Sequence, residues 1–283
     1  QTSFVPAAAM ATVAVAAGVS MVGGSTGGAV TVSRTMLLAD LVRCGSDFDG
    51  TPLPWSTNPT GVAVTSSRVR HYAGAALMNT VLVASGALLL LALAAGRKAV
   101  GWSQTMASAT SWARFPSMVV FPLLILLQPT TQAAAVSLFF GSGMVAATVG
   151  VAALLLIASA LFALFRSVFN TKTVNAETFE AVFVPNENEI PWCERAPGAK
   201  GAWAWVMHST GDWEDRTAVA DKTVQPSFTR KHFLFFADYT NRCRWFIAVE
   251  FAVCVALGLC GALAMSKTVA CGTAAWMVLI LLG

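Results

Sequence analysis

Long apolar stretches alternate with short polar connections along this chain, and the pattern predicts membrane-spanning helices. A helix needs about 20 mostly apolar residues to cross about 30 Å of hydrocarbon, at about 1.5 Å of rise per residue. The stretches that meet this requirement lie at about 5–27, 72–96, 115–140, 144–165 and 245–265, and a sixth starts at Thr268. The sequence therefore predicts an all-α fold, a multi-pass transmembrane helical bundle of about six spans.

The third and fourth spans lie in one uncharged stretch, Phe115–Phe165, which is too long for a single crossing. A tight turn between two spans could lie at 128–132, where the sequence is Gln-Pro-Thr-Thr-Gln, or at 141–143, where it is Gly-Ser-Gly. Because only the glycine turn leaves both arms long enough to span, we predict the turn there. Pro122 and Pro129 are then kinks inside the third span, which neighbouring helices can tolerate.

The segment from Arg166 to Arg244 differs sharply from the rest of the chain. It contains more than half of the 18 basic and of the 14 acidic residues, together with several tryptophans and prolines. We expect one partly ordered cytoplasmic loop region that packs against the membrane face and does not fold alone. The chain then divides into spans 1–4 within 1–165, an extramembrane region at 166–244, and spans 5–6 within 245–283.

Composition agrees with a membrane location. Hydrophobic residues make up 56% of the 283 residues and charged residues 11%, against about 25% charged in soluble domains. A net charge of +4, concentrated at the ends of apolar stretches, argues against nucleic-acid binding as the main role. Because the chain begins at Gln1 and ends inside an apolar stretch at Gly283, we expect a fragment of a longer polypeptide, with the last span truncated.

Basic residues near the span ends predict the orientation. The connection 97–114 contains three basic residues and no acidic one, so we place it and the 166–244 region in the cytoplasm and the 34–71 loop outside. The bilayer is the expected partner, and basic and aromatic residues alternate in the run 230–245, as in an interfacial segment. The predicted interfacial anchors are Arg114, Arg166, Arg242, Arg244 and Trp245.

Glu250 and Asn79 are the candidate polar residues inside predicted spans. Glu250 is the one acidic residue within a span, and a carboxylate there costs about 3 kcal/mol on insertion scales. It either serves ion or proton transport or pairs with a basic group at the inner rim, for which Arg97 and Arg114 are candidates. Asn79 is predicted to make a helix-to-helix hydrogen bond, and a pore-lining role is the alternative.

The sequence contains no motif that identifies a reaction. Nucleophile-elbow, zinc-protease, P-loop and dinucleotide-binding patterns are missing, and the three histidines lie far apart. The six cysteines form no C-x-x-C pair and have no histidine at ligand spacing. We therefore expect no enzyme activity, no catalytic residues, no cofactor, no metal and no small-molecule substrate.

Several short motifs resemble a known family. Residues 74–80, Gly-Ala-Ala-Leu-Met-Asn-Thr, open the second span, and 113–118, Ala-Arg-Phe-Pro-Ser-Met, open the third. With Phe-Ala-Asp-Tyr at 236–239 and Arg-Trp-Phe at 244–246, they resemble the C-terminal membrane region of the dispersed gene family surface proteins of trypanosomes. The resemblance implies a large β-rich, adhesin-like extracellular portion upstream. Such a portion directly before Gln1 would place the start of the first span outside, unless another span intervenes.

Two functions follow as hypotheses. The first is a non-enzymatic membrane-anchoring region of a larger surface protein, integral to the plasma membrane. Ser20, Gly24 and Gly28 form a stripe of small residues, through which helices could associate into a homo-oligomer. The second is a channel or transporter domain with a polar path near Glu250 and Asn79. The scarcity of polar groups within the spans favours anchoring.

Overall fold

The computed structural model describes residues 52–53, 57–64, 66, 68–168, 181–185, 211–215, 228–235 and 246–265. Six α-helices and two strands lie in these ranges, followed here in chain order. They are α1 (Arg70–Ala99), α2 (Met106–Trp112), α3 (Ser117–Phe140), α4 (Met144–Val168), β1 (Ala181–Pro185), β2 (Gly211–Asp215), α5 (Phe228–His232) and α6 (Phe246–Ala264). A short 3₁₀ turn, Phe233–Phe235, extends α5.

Four of these helices, α1, α3, α4 and α6, are long and apolar enough to cross a membrane. The chain is therefore an integral membrane protein with a helical membrane region, as predicted. The four helices coincide with the predicted second to fifth spans. The predicted first span at 5–27 and the sixth from Thr268 lie outside the described residues, so the number of six remains a prediction.

The connection between the third and fourth spans is at the glycine turn. Helix α3 continues to Phe140 and α4 begins at Met144, whereas the alternative turn at 128–132 lies in the middle of α3. Pro122 and Pro129 are both inside α3, as predicted. The minimum length of a span therefore predicted the position of this turn correctly, because a turn at 128–132 would have left the third span too short to cross the hydrocarbon.

Two segments of the predicted extramembrane region form an antiparallel pair of strands that the all-α prediction did not include. Strand β1 pairs with β2 so that Phe183 lies opposite Trp213 and Val184 opposite Asp212. The Val-Phe-Val sequence at 182–184 is rich in β-branched and aromatic residues, which favour extended backbone. The helical prediction thus applies to the membrane region and not to this pair of strands.

The chain divides into two compact units, and the first contains most of the membrane bundle. Its described part comprises residues up to 87, 119–163 and 249–265. Helix α3 occupies the centre of the packing. In its apolar stretch of 18 residues, 78% is buried, against 11% in the corresponding stretch of α1, 17% in that of α4 and 39% in that of α6. Small side chains on all four of these helices form this core, with alanines at 75–76, 133–135, 146, 153 and 262.

Two glycines allow neighbouring helices to approach α3 closely. A Cβ atom added at Gly258 of α6 would lie 2.7 Å from the carbonyl oxygen of Gln128 and 2.8 Å from the Cβ of Thr131. One added at Gly150 of α4 would lie 2.6 Å from the carbonyl oxygen of Ala134. Backbone therefore meets backbone at the centre of this unit, as in other membrane bundles with small interface residues.

The described part of the second unit comprises residues 88–118, 164–168, 181–185, 211–215, 228–235 and 246–248. It contains residues 88–99 of α1 and 164–168 of α4, together with the first two residues of α3 and the first three of α6. Helix α2 packs against the end of α1 through Ala94, Ala109 and Ala113. The turn that reverses the chain contains Gly101 at φ +80°, and the Thr105 hydroxyl accepts a hydrogen bond from the Ser108 N–H to cap α2.

Candidate functional site

Asn79 is fully buried in α1, but its hydrogen-bond partner differs from the prediction. Its Nδ2 donates to the backbone carbonyl of Thr57, 3.1 Å away, in the segment before the helix. The predicted helix-to-helix bond is therefore wrong. The segment can fold back onto α1 because Gly74, which has no Cβ, leaves room for the carbonyl of Val62. Asn58 also holds it, since its Nδ2 donates to the carbonyls of Val62 and His71.

Glu250 lies on the second turn of α6 and is half-buried. It therefore sits near one end of the span and not at its centre, at about 6 Å from the first residue of the helix at normal rise. The two proposed roles, pairing at the rim and transport, both stay predictions.

The predicted anchors have separate positions. Arg114 is exposed directly after α2 and adopts φ +50°, a left-handed conformation that is uncommon for a residue with a side chain. Arg166 is exposed in the last turn of α4. The remaining three, Arg242, Arg244 and Trp245, lie outside the described residues.

A row of buried polar residues in α3 was missed by the sequence analysis. Its members are Gln128, Thr130, Thr131, Gln132 and Ser137, all at most 4% exposed. Thr131 and Ser137 donate to backbone carbonyls of their own helix, so they are satisfied locally. The two glutamines, four residues apart on one helical face, were the available signal.

The glutamines belong to a chain of hydrogen bonds through unit 1. Gln128 Nε2 donates to Gln132 Oε1 at 3.2 Å, and Gln132 Nε2 is 3.5 Å from the Met265 sulfur. The same sulfur accepts from the Tyr72 hydroxyl at 3.0 Å. Gln128 Oε1 has no hydrogen-bond partner within the described part of the chain. Asn79 Oδ1, also in unit 1, is likewise buried without a partner among the described residues. A buried acceptor without a donor costs about 1–3 kcal/mol, so both atoms are places in the core where a polar ligand or water could be accommodated.

A second feature is the environment of Arg97 in the last turn of α1. Its guanidinium carbon lies 4.5 Å from the ring centre of Trp112 and 5.9 Å from that of Trp102. Its Nε donates to the Ser103 hydroxyl at 3.0 Å. The two indoles and the serine thus hold the guanidinium in one orientation, through cation–π attraction and a hydrogen bond.

A third feature is the attachment of α5 to the start of α3 in unit 2. The Ser117 hydroxyl donates to the Lys231 carbonyl at 2.8 Å and accepts from the Leu234 N–H at 3.3 Å. Next to this bond, His232 is buried, with its ring 4.5 Å from that of Phe228. Burial, and then the positive charge of Lys231, lowers the pKa of His232 from 6.5 to about 4. The ring is therefore neutral at pH 7.

Among the described residues, no group of three or more His, Cys, Asp or Glu side chains could hold a metal ion. The features that the geometry does provide are a packed polar core in unit 1 and an aromatic, basic surface in unit 2. Comparison of the chain with protein-family models, with curated proteins and with solved structures finds no match.

Proposed function

We propose that this chain is a non-enzymatic membrane-anchoring region of a larger surface protein. The observation that carries the proposal is the packing around α3, where the other helices meet a buried central helix without leaving room between the backbones. At Gly258 and Gly150 even a methyl group would collide with α3. A solid core of this kind suits a bundle that holds a position in the bilayer.

The outer surfaces of the bundle support the same proposal. Large apolar side chains on α1 and α4 are exposed, among them Leu88, Leu155 and Phe162, each about two-thirds exposed. Surfaces of this kind would be unfavourable in water and are suited to contact with lipid tails. Their burial in the bilayer would resist extraction of the chain.

The finer parts of the proposal rest on the sequence. They are a plasma-membrane location, about six spans, a cytoplasmic position for 97–114 and 166–244, and association of copies through small-residue helix faces. The resemblance to the trypanosome dispersed gene family supports a surface protein with a large upstream portion. Unit 2 agrees with the side assignment to this extent: the ends of α1 and α4 and the starts of α3 and α6 occur in one unit.

A second candidate, a channel or transporter domain, is favoured by one specific observation. Gln128 Oε1 is buried at the centre of unit 1, and none of the described residues donates a hydrogen bond to it. A bound cation or a file of water would provide for it, and polar groups inside a membrane bundle often mark such paths. The path proposed from the sequence, near Glu250 and Asn79, would then also include Gln128.

Two measurements on one preparation test the candidates: carbonate extraction tests the membrane integration that both require, and ion flux distinguishes the two. A fluorescent protein is fused before Gln1, and membranes are extracted with alkaline carbonate; an anchor keeps the reporter in the membrane pellet. The same fusion is placed in liposomes, and the flux of K⁺, Na⁺ and protons is recorded. For an anchor we expect flux equal to that of protein-free liposomes.

Variants sharpen the flux measurement. Flux above the protein-free level that Glu250→Gln or Gln128→Leu abolishes would replace the anchoring proposal with the channel. Release of the reporter by carbonate would contradict both candidates, because each requires a chain that is integral to the bilayer. Ser85→Ala is the matched control, because Ser85 is exposed on α1 and its hydroxyl bonds within its own helix.

A further inference from the structure

We infer that the surface formed by Arg97, Lys98, Trp102, Trp112 and Arg114, here named the Arg97 cap, binds the head group of an anionic phospholipid. All five residues belong to unit 2. The inference needs the chain to be in a membrane, but it does not depend on whether the chain anchors or conducts.

The charge of the cap is the first argument. Three cationic side chains occur between 97 and 114, and no Asp or Glu occurs from Arg97 to Met118. Lys98 and Arg114 are exposed, and neither has a salt bridge within the ranges that the structure describes. An anionic ligand would therefore meet cations that the described residues do not neutralise. At a membrane surface each such cation attracts anionic lipid by about 1 kcal/mol.

The orientation of Arg97 is the second argument. Its Nε is used by Ser103, and the flat guanidinium is held near the rings of Trp112 and Trp102. The Nη groups remain as donors for a ligand, and a fixed guanidinium can give two parallel hydrogen bonds to one phosphate. If Arg97 served only to set the orientation of the chain in the membrane, its positive charge would be enough. The contacts that hold its guanidinium in one orientation are not needed for that role, and they favour ligand binding.

The third argument identifies the ligand as a lipid and not as free phosphate. Leu89 and Leu93 precede Arg97 by two turns and one turn, so the three residues lie on one stripe of α1. Both leucines are exposed, at 61% and 49%. The stripe from Leu89 to Arg97 is about 12 Å long at helical rise, enough for much of an acyl chain beside the leucines with its phosphate at the guanidinium.

The tryptophans complete the arrangement. Trp102 is 71% exposed and Trp112 44% exposed, although both have large apolar rings. Indoles favour the head-group level, where the ring contacts acyl chains and the N–H can donate to an oxygen. The cap therefore presents cations, indole donors and an apolar stripe in the order in which a phospholipid presents phosphate, ester and tail.

The test is native mass spectrometry of the whole chain in detergent, titrated with phosphatidylglycerol and with phosphatidylcholine of identical acyl chains. We expect the wild-type chain to retain phosphatidylglycerol at lower lipid concentration. Arg97→Gln should weaken this retention about tenfold, as expected for the loss of a charge-assisted pair of hydrogen bonds. Arg97→Lys should also weaken it, because lysine keeps the charge and loses the planar donor geometry.

Arg166→Gln is the matched control. Arg166 is an exposed arginine at the end of another spanning helix in the same unit, and its removal costs the same charge. Retention should be unchanged in this variant. An equal loss in Arg166→Gln would show attraction by net charge alone and would overturn the inference. Equal retention of both lipids by the wild type would show no preference for an anionic head group and would overturn it as well.

Two further arms keep the test decisive. Inorganic phosphate in millimolar excess should not displace the lipid; displacement would identify a free-phosphate site and overturn the lipid assignment. If Arg97→Gln does not elute as a folded species in size-exclusion chromatography, the double variant Trp102→Leu with Arg114→Gln replaces it, since both side chains are exposed. Undiminished phosphatidylglycerol retention in that variant would overturn the inference.

Discussion

The Tyr72 hydroxyl donates a hydrogen bond to the Met265 sulfur across 3.0 Å, although 193 residues separate the two in sequence. Tyr72 lies in the first turn of α1, and Met265 directly follows the end of α6. The bond therefore fastens two spanning helices to each other at the ends that lie in unit 1.

Replacing Tyr72 by phenylalanine should lower the free energy of unfolding by about 0.5 kcal/mol. The value is at the low end for a hydrogen bond because sulfur is a weak acceptor. Thermal denaturation in detergent measures it. Thr80→Val is the control, since among the described residues the Thr80 hydroxyl bonds to the Ala76 carbonyl of its own helix. Equal losses in both variants would show that the Tyr72 bond contributes nothing specific to helix association.

Gly258→Ala should destabilise the bundle, and Gly86→Ala should not. The new methyl group at Gly258 would collide with Gln128 and Thr131 of α3, whereas nothing lies within 4 Å of the position at Gly86. Overpacking of this kind costs about 1–3 kcal/mol, while alanine in an open helical position is neutral or gains about 1 kcal/mol. The two thermal midpoints should therefore move in opposite directions or differ clearly. A stabilised Gly258→Ala variant would contradict the observed packing of α6 on α3.

The two glutamines of α3 should behave as a coupled pair. Gln128→Met leaves Gln132 Oε1 without the donor that the structure gives it, and Gln132→Met leaves Gln128 Nε2 without an acceptor. Each single substitution should therefore lower the free energy of unfolding by more than half of the loss in the double variant. We expect a coupling free energy of about 0.5–1 kcal/mol in a double-mutant cycle of unfolding. Strict additivity would show that the hydrogen bond between the glutamines does not stabilise the fold.

Lowering the pH from 7 to 4 should loosen the attachment of α5. The pKa of His232 is about 4 in the folded chain and 6.5 in its ordinary state. Between these values the unfolded segment binds a proton that the folded one does not. The stability contribution is thus present above pH 6.5 and is lost as the pH falls toward 4, by on the order of 3 kcal/mol at full protonation.

Hydrogen exchange of residues 228–235 at several pH values measures this effect. His232→Phe is the matched variant, because a phenylalanine ring can keep the contacts with Phe228 and Phe235 and does not titrate. Subtracting its pH profile removes the contribution of carboxylates elsewhere. Identical profiles for the wild type and His232→Phe would mean that this histidine does not govern the attachment.

The sequence by itself determined where the described membrane helices begin and end. The thickness of the hydrocarbon sets a minimum length, and this one constraint placed four spans and chose the glycine turn at 141–143 over the turn at 128–132. The strands β1 and β2 were not anticipated, because their pairing joins segments about 30 residues apart and neither is long enough to be distinctive alone.

Only the tertiary structure decided which helix is central and what the polar residues contact. In a soluble protein the buried face of a helix is recognised by its apolar stripe, but lipid is as apolar as the protein core, so the faces of a spanning helix look alike in sequence. For this reason the sequence predicts the wrong partner for Asn79, and it gives no sign that Gln128 and Gln132, which lie in the rejected alternative turn, form a buried polar pair. The contact of Arg97 with Trp112 was hidden for another reason: it depends on the reversal of the chain at Gly101, which brings α2 back onto the end of α1.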